Sequence, residues 1–86
     1  MPSIDKGIKQ TGAVVAMYEA NLSNSGHTRR FQIKPLDAAG WEVREEEDSR
    51  LVSARVYNDW HRVERARSAF QIAVLTLRQD GWTIEQ

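Results

Sequence analysis

The stretch NDWHRVERARSAF, from Asn58 to Phe70, sets His61, Arg62, Arg65 and Arg67 within seven positions, and Arg50 and Arg55 precede it. A guanidinium offers a planar fork of donors that matches two oxygens of one phosphate or carboxylate, and this chain uses nine arginines against three lysines. Arg50, Arg55, Arg62, Arg65 and Arg67 are therefore the candidate nucleic-acid-binding residues. Tyr57 and Trp60 stand among them as rings on which an unpaired base could stack.

Two features weigh against that reading. The formal charge is zero at pH 7 and the pI is about 6.7, whereas nucleic-acid-binding domains usually carry a basic excess. The charge is also segregated. Glu42 to Asp48 holds five acids and one arginine, net −4, and Arg50 to Arg67 holds five arginines and two acids, net +3. Glu45, Glu46, Glu47 and Asp48 directly precede the arginines, so ion pairing within the chain or between subunits accounts for the segregation without a ligand.

The acidic run also raises a hard cation as a candidate ligand, since carboxylate oxygens suit Ca²⁺ or Mg²⁺. Its spacing argues against one. Adjacent strand residues point to opposite faces, and the glycine-centred loop that wraps carboxylates around calcium is missing. A solvated acidic turn is expected, with no metal and no cofactor. For catalysis, His27 falls in a polar loop and His61 on a solvent-facing helical turn beside Asp59 and Glu64. No glycine-flanked serine or phosphate-binding glycine loop accompanies them, so a non-enzymatic protein is expected.

These residues need elements to position them. Residues 1–12 mix Pro2, Ser3, Gly7 and Gly12 with charges and read as a flexible tail before a single domain over 13–86. Residues 13–22 (AVVAMYEANL) suit a strand or a helix, and the strand is preferred because SNSGHT follows as a hairpin loop. RRFQIKP (29–35) and WEVREEE (41–47) alternate apolar and polar residues as half-buried strands do. LVSARVY (51–57) continues the series, with Val52, Ala54 and Val56 on the face opposite Leu51, Ser53, Arg55 and Tyr57.

A long helix is predicted from Asp59 to about Gln79, capped by Asp59 or Asn58 and closed by Gly81. At 100° per residue, Val63, Ala66, Phe70, Ala73, Val74 and Leu77 form one apolar stripe. Arg62, Arg65 and His61 fall away from it. Arg67 lies about 40° from its centre, where its stem covers the core and its head reaches the sheet edge or an acid such as Glu64. Ile72 and Leu75 lie about 180° and 120° from the stripe, which makes them the candidate partner-binding residues. Trp41, Trp60 and Trp82 read as residues that close the core.

The expected fold is therefore α+β. An antiparallel sheet of three to four strands carries one long C-terminal helix on one face, followed by a short extended tail (WTIEQ). The exposed sheet face should be polar, with Arg30, Gln32 and Lys34, then Glu42, Arg44 and Glu46. With no cysteine, no disulfide or thiolate site can add stability to so small a core. The chain has neither a signal-peptide apolar region nor an apolar run near the roughly 18 residues a membrane span needs. A cytoplasmic interaction module is the resulting expectation, self-associating or meeting a protein partner through the outer helix face. Nucleic-acid binding is the alternative.

Overall fold

The structure is a computed structural model that describes residues 17–37 and 40–85. The expected tail, residues 1–12, lies outside the described residues, as do the first four positions of the strand expected over 13–22. Strand β1 is Tyr18–Asn24 and pairs antiparallel with β2, His27–Pro35. Ser25 and Gly26 between them take φ of 51° and 84°. Two consecutive left-handed residues make a two-residue hairpin turn whose twist matches that of the strands. Pairing therefore extends to Asn24 and His27. The loop expected over 23–28 contracts to Ser25 and Gly26 because both adopt positive φ.

Strand β3, Trp41–Glu47, pairs with β2, and β4, Arg50–Tyr57, pairs with β3. Asp48 and Ser49 link them with φ of 50° and 65°, the same turn geometry. Helix α1 spans Trp60–Gln79, and β5, Thr83–Glu85, returns to pair with β1. Among the described residues the sheet thus has five strands in the order β4-β3-β2-β1-β5, one more than the three to four expected. The additional strand is the tail, whose Ile84 sits opposite Leu22 on the helix-covered face.

Strand alternation divides the sheet into two chemistries. The covered face carries Ala20 and Leu22, Phe31 and Ile33, and Val43, all buried and closed by Val63, Phe70 and Val74 of α1. Phe70 lies 5.0 Å from Phe31 and 6.1 Å from Tyr18, ring centre to ring centre. Burying side chains of this size stabilises by roughly 1.5–3 kcal/mol each, so this cluster is the main source of stability. The open face is polar, as its alternation predicts. Arg30 pairs with Glu19 at 3.0 Å, Lys34 with Glu42 at 3.5 Å, and Arg44 with Glu46 at 2.7 Å.

The expected alternation fails in β4. Ser53 faces Glu45 and Leu51 faces Glu46, leaving Val52 as an extra residue in a bulge. The bulge moves Leu51 to the open face with Ala54 and Val56. The sequence alternation had set it against them.

Helix α1 follows its predicted signals at both ends. Asp59 caps it, its Oδ1 accepting from the His61 N–H at 2.9 Å. At the other end the Trp82 N–H donates to the Leu77 carbonyl at 3.0 Å and the Gly81 N–H to the Arg78 carbonyl at 3.1 Å. With Gly81 at φ 99°, this is the crossed pair of bonds that ends a helix at a left-handed residue. Trp82 and Leu77 then pack on the core together. Trp41 and Trp82 pack on the core, while Trp60 is 41% exposed, lies outside it and rests on Trp41 at 5.3 Å.

Candidate docking groove

Strand β4 lies at the outer margin of the sheet and is exposed along both faces. Leu51 is 55% exposed, Val52 52% and Val56 63%. An outermost strand also turns half of its backbone N–H and C=O groups away from its only neighbour. Beside it, against α1, runs an open groove of about 760 Å³. Arg55 and Tyr57 form its strand wall, and Arg62, Arg65, Ala69 and Ile72 are prominent on its helix wall.

Three of the five predicted arginines thus converge. Their placement follows from local structure, since Arg55 alternates onto the helix side of β4 while Arg62 and Arg65 sit one turn apart on the adjoining flank of α1. Arg50 and Arg67 do not join them. Arg50 stands at the opposite end of β4 beside Glu47 and Asp48, and Arg67 is half-buried with its guanidinium 3.8 Å from Glu64. The stem-covering role expected for Arg67 agrees with that position. Of the predicted partner-binding pair, Ile72 (65% exposed) lines the groove and Leu75 (59%) does not.

The acidic run finds its partners elsewhere than expected. Arg29 lies 2.6 Å from Glu45 and 3.6 Å from Glu47, and its guanidinium sits 5.2 Å from the centre of the Phe31 ring. Arg44 serves Glu42 and Glu46, and His27 Nδ1 stands 3.2 Å from Asp48 Oδ2. Cross-strand register explains this, because Arg29 pairs with Glu47 and Arg44 shares its own strand with both of its acids. Among the described residues no carboxylate lies within 4.0 Å of Arg55 or Arg65, and Arg62 reaches Asp59 only at 4.0 Å. Among the described residues the segregated positive charge is therefore left largely uncompensated at the groove, and no acid of theirs lines it.

Two acids on the rest of the sheet are held ionised by their neighbours. Glu19 is pushed below the ordinary carboxyl range chiefly by the hydrogen bond that the Asn21 amide donates, with the Arg30 charge adding to it. Asp48 is lowered first by the Thr28 N–H, which donates to Oδ1 at 2.9 Å, and then by His27. The Asp48 N–H in turn donates to the Thr28 carbonyl at 2.9 Å, so the tip of the β3–β4 hairpin is clasped to the tip of β1–β2.

His61 is exposed, and Asp59 engages its backbone N–H. Among the described residues no group of three or more histidine or acidic side chains is placed to hold a metal ion. No helix among them is long and apolar enough to cross a membrane.

The edge residues Leu51, Val52 and Val56 were not among the predicted site residues. Their signal was present in LVSARVY, which has apolar side chains on both faces and so lacks the wet side that β2 and β3 possess. Comparison with known proteins adds no further identification, since no family model matches the chain and neither does any curated protein or solved structure.

Proposed function

We propose that this chain is a small, non-enzymatic interaction module that docks a partner along β4 and the adjoining groove. One observation carries the reading: an eight-residue outer strand, apolar on its open face and exposed along its length, has no further strand beside it among the described residues and borders a groove lined with arginine. Proteins usually blunt such an edge with charge, proline or a cover, because it templates pairing with another chain. A partner that adds to the edge satisfies its backbone groups and buries its apolar residues together.

Amide shifts of labelled protein, recorded during titration with a mixture of random octapeptides, test this. Changes concentrated from Arg50 to Tyr57 and along the Arg62–Ile72 flank of α1 are expected. Changes confined to the polar sheet face would remove the reading.

Nucleic-acid binding is the second reading, favoured by the convergence of Arg55, Arg62 and Arg65 with Tyr57 at hand for stacking. It is the weaker one. A phosphate chain following β4 also meets Glu47 and Asp48 at the Arg50 end and Glu42 and Glu46 on the open face beside Val56 and Leu51. Oligonucleotide binding that weakens steeply with salt and shifts the same amides would promote it. Self-association along the outer helix side is a third arrangement of the same interaction module. It gathers the arginines of two copies against each other wherever their grooves meet.

A further inference from the structure

We infer that the occupant of β4 is an extended acidic peptide, with carboxylates at alternate positions facing α1 and apolar side chains at the positions between. This rests on the docking reading above and specifies its partner. A sixth strand beside β4 lies about 4.8 Å from it and alternates its side chains between the two faces of the sheet. On the helix side these meet Arg55 from the strand and Arg62 and Arg65 from α1, with no acid among the described residues that line the groove. On the open side they meet Val56, Ala54 and Leu51. The edge therefore reads a peptide in two registers at once, charge on one face and hydrophobicity on the other.

Three arginines in fork geometry suit carboxylates presented every second residue, and the shared backbone pairing supplies the direction. The described strands of this chain are already paired, and residues 1–16 carry two lysines and one aspartate, the wrong sign for the groove. Neither the described strands nor residues 1–16 therefore supply the acidic occupant.

The test uses four end-capped probes with the full chain at pH 7. These are an octapeptide alternating Glu and Val, its isomer with four Glu followed by four Val, an octapeptide alternating Lys and Val, and an eight-residue oligo-thymidylate. The alternating Glu/Val peptide should bind at least about tenfold more tightly than the blocked isomer. It should shift the Arg50–Tyr57 amides and protect them from hydrogen exchange.

Replacing Arg55→Glu together with Arg65→Glu, both exposed positions, should lower that affinity at least about tenfold and create binding of the Lys/Val peptide. Shifts outside β4 and α1 report that the variant is folded. Equal binding of both Glu/Val isomers, or preference for Lys/Val by the unmodified chain, overturns the acidic alternating partner while leaving docking on β4 intact. Preference for the oligonucleotide, or concentration-dependent shifts of β4 in the protein alone, assigns the edge to another occupant. Probes that leave β4 untouched remove both this inference and the docking reading beneath it.

Discussion

The two margins of the sheet are built in opposite ways. At one, β5 contributes three residues, with Ile84 half-buried against the core opposite Leu22, and the chain ends its own sheet with a short strip. At the other, β4 presents eight residues with Leu51, Val52 and Val56 more than half exposed. A short edge strand is one of the ordinary devices against unwanted pairing, and a long apolar one is the liability those devices prevent. The contrast teaches that stability and recognition occupy different margins. Core burial is densest near β1 and β2, and β4 contributes only Tyr57 to it, so β4 is free to be chosen for what it meets outside.

A matched pair of truncations breaks or upholds that contrast with the largest effect. Leu22→Ala, at a fully buried position beneath the closed margin, should destabilise by about 2–5 kcal/mol through lost burial and the cavity left behind. Leu51→Ala on the open margin should change stability by no more than about 0.5 kcal/mol. Denaturant midpoints for both variants measure the difference, and comparable losses would mean that β4 is part of the core.

Gly40→Ala comes next. Gly40 holds φ 102° and a Cβ there would stand 2.6 Å from the Tyr57 carbonyl oxygen, so the residue that leads into β3 lies close against the last residue of β4. Strain at such a position is worth roughly 1–3 kcal/mol, and here it should appear as a lowered melting temperature with β4 amides exchanging first.

The elements themselves were legible because their signals are local. Phe31 and Ile33 alternate with Arg30, Gln32 and Lys34, which shows a half-buried strand. The Val63–Leu77 stripe, Asp59 and Gly81 similarly mark a helix and its ends. What joins elements was not legible. Nothing in LVSARVY says that β4 is outermost, since strand order is settled only when the helix carries the chain back across the sheet and β5 pairs with β1.

The bulge at Val52 moves Leu51 to the other face, and a strict period of two has no way to show an inserted residue. The charge pairing failed for a related reason. Sequence adjacency joined Glu45–Asp48 to the following arginines, whereas cross-strand register gives Glu45 and Glu47 to Arg29. That reassignment leaves Arg55 and Arg65 available, so the candidate site became visible only with the register.

A smaller effect on stability sharpens the contrast from the side of recognition. Val56→Lys places a charge on the open face of the outer strand, where the native residue is 63% exposed. The unfolding free energy should stay within about 0.5 kcal/mol of the native chain. Because a lysine on an edge strand opposes further pairing, octapeptide-induced shifts of β4 should disappear and solubility at high concentration should rise. Retained shifts would place docking away from the edge.

The smallest effect concerns how the open hairpin is fastened to the rest. Asp48 accepts from the Thr28 N–H and faces His27, and its carboxyl is held below the ordinary value of 3.8. A carboxyl whose pKa is lower in the folded than in the unfolded chain stabilises fully above the unfolded value, and its contribution is lost as pH falls through the folded one. The clasp should therefore be intact from neutral pH down to about 5 and weaken through and below 3.8.

Asp48→Asn separates charge from shape, because asparagine also tolerates positive φ and keeps an oxygen for the Thr28 N–H, yet does not titrate. At pH 6 the native chain should melt slightly above the variant, with slower exchange at the Thr28 amide, and both differences should vanish in the acid range. A gap that persists unchanged at pH 2 would show that the carboxylate charge does not hold the hairpin. In that case the open margin is fastened by its backbone ladder alone.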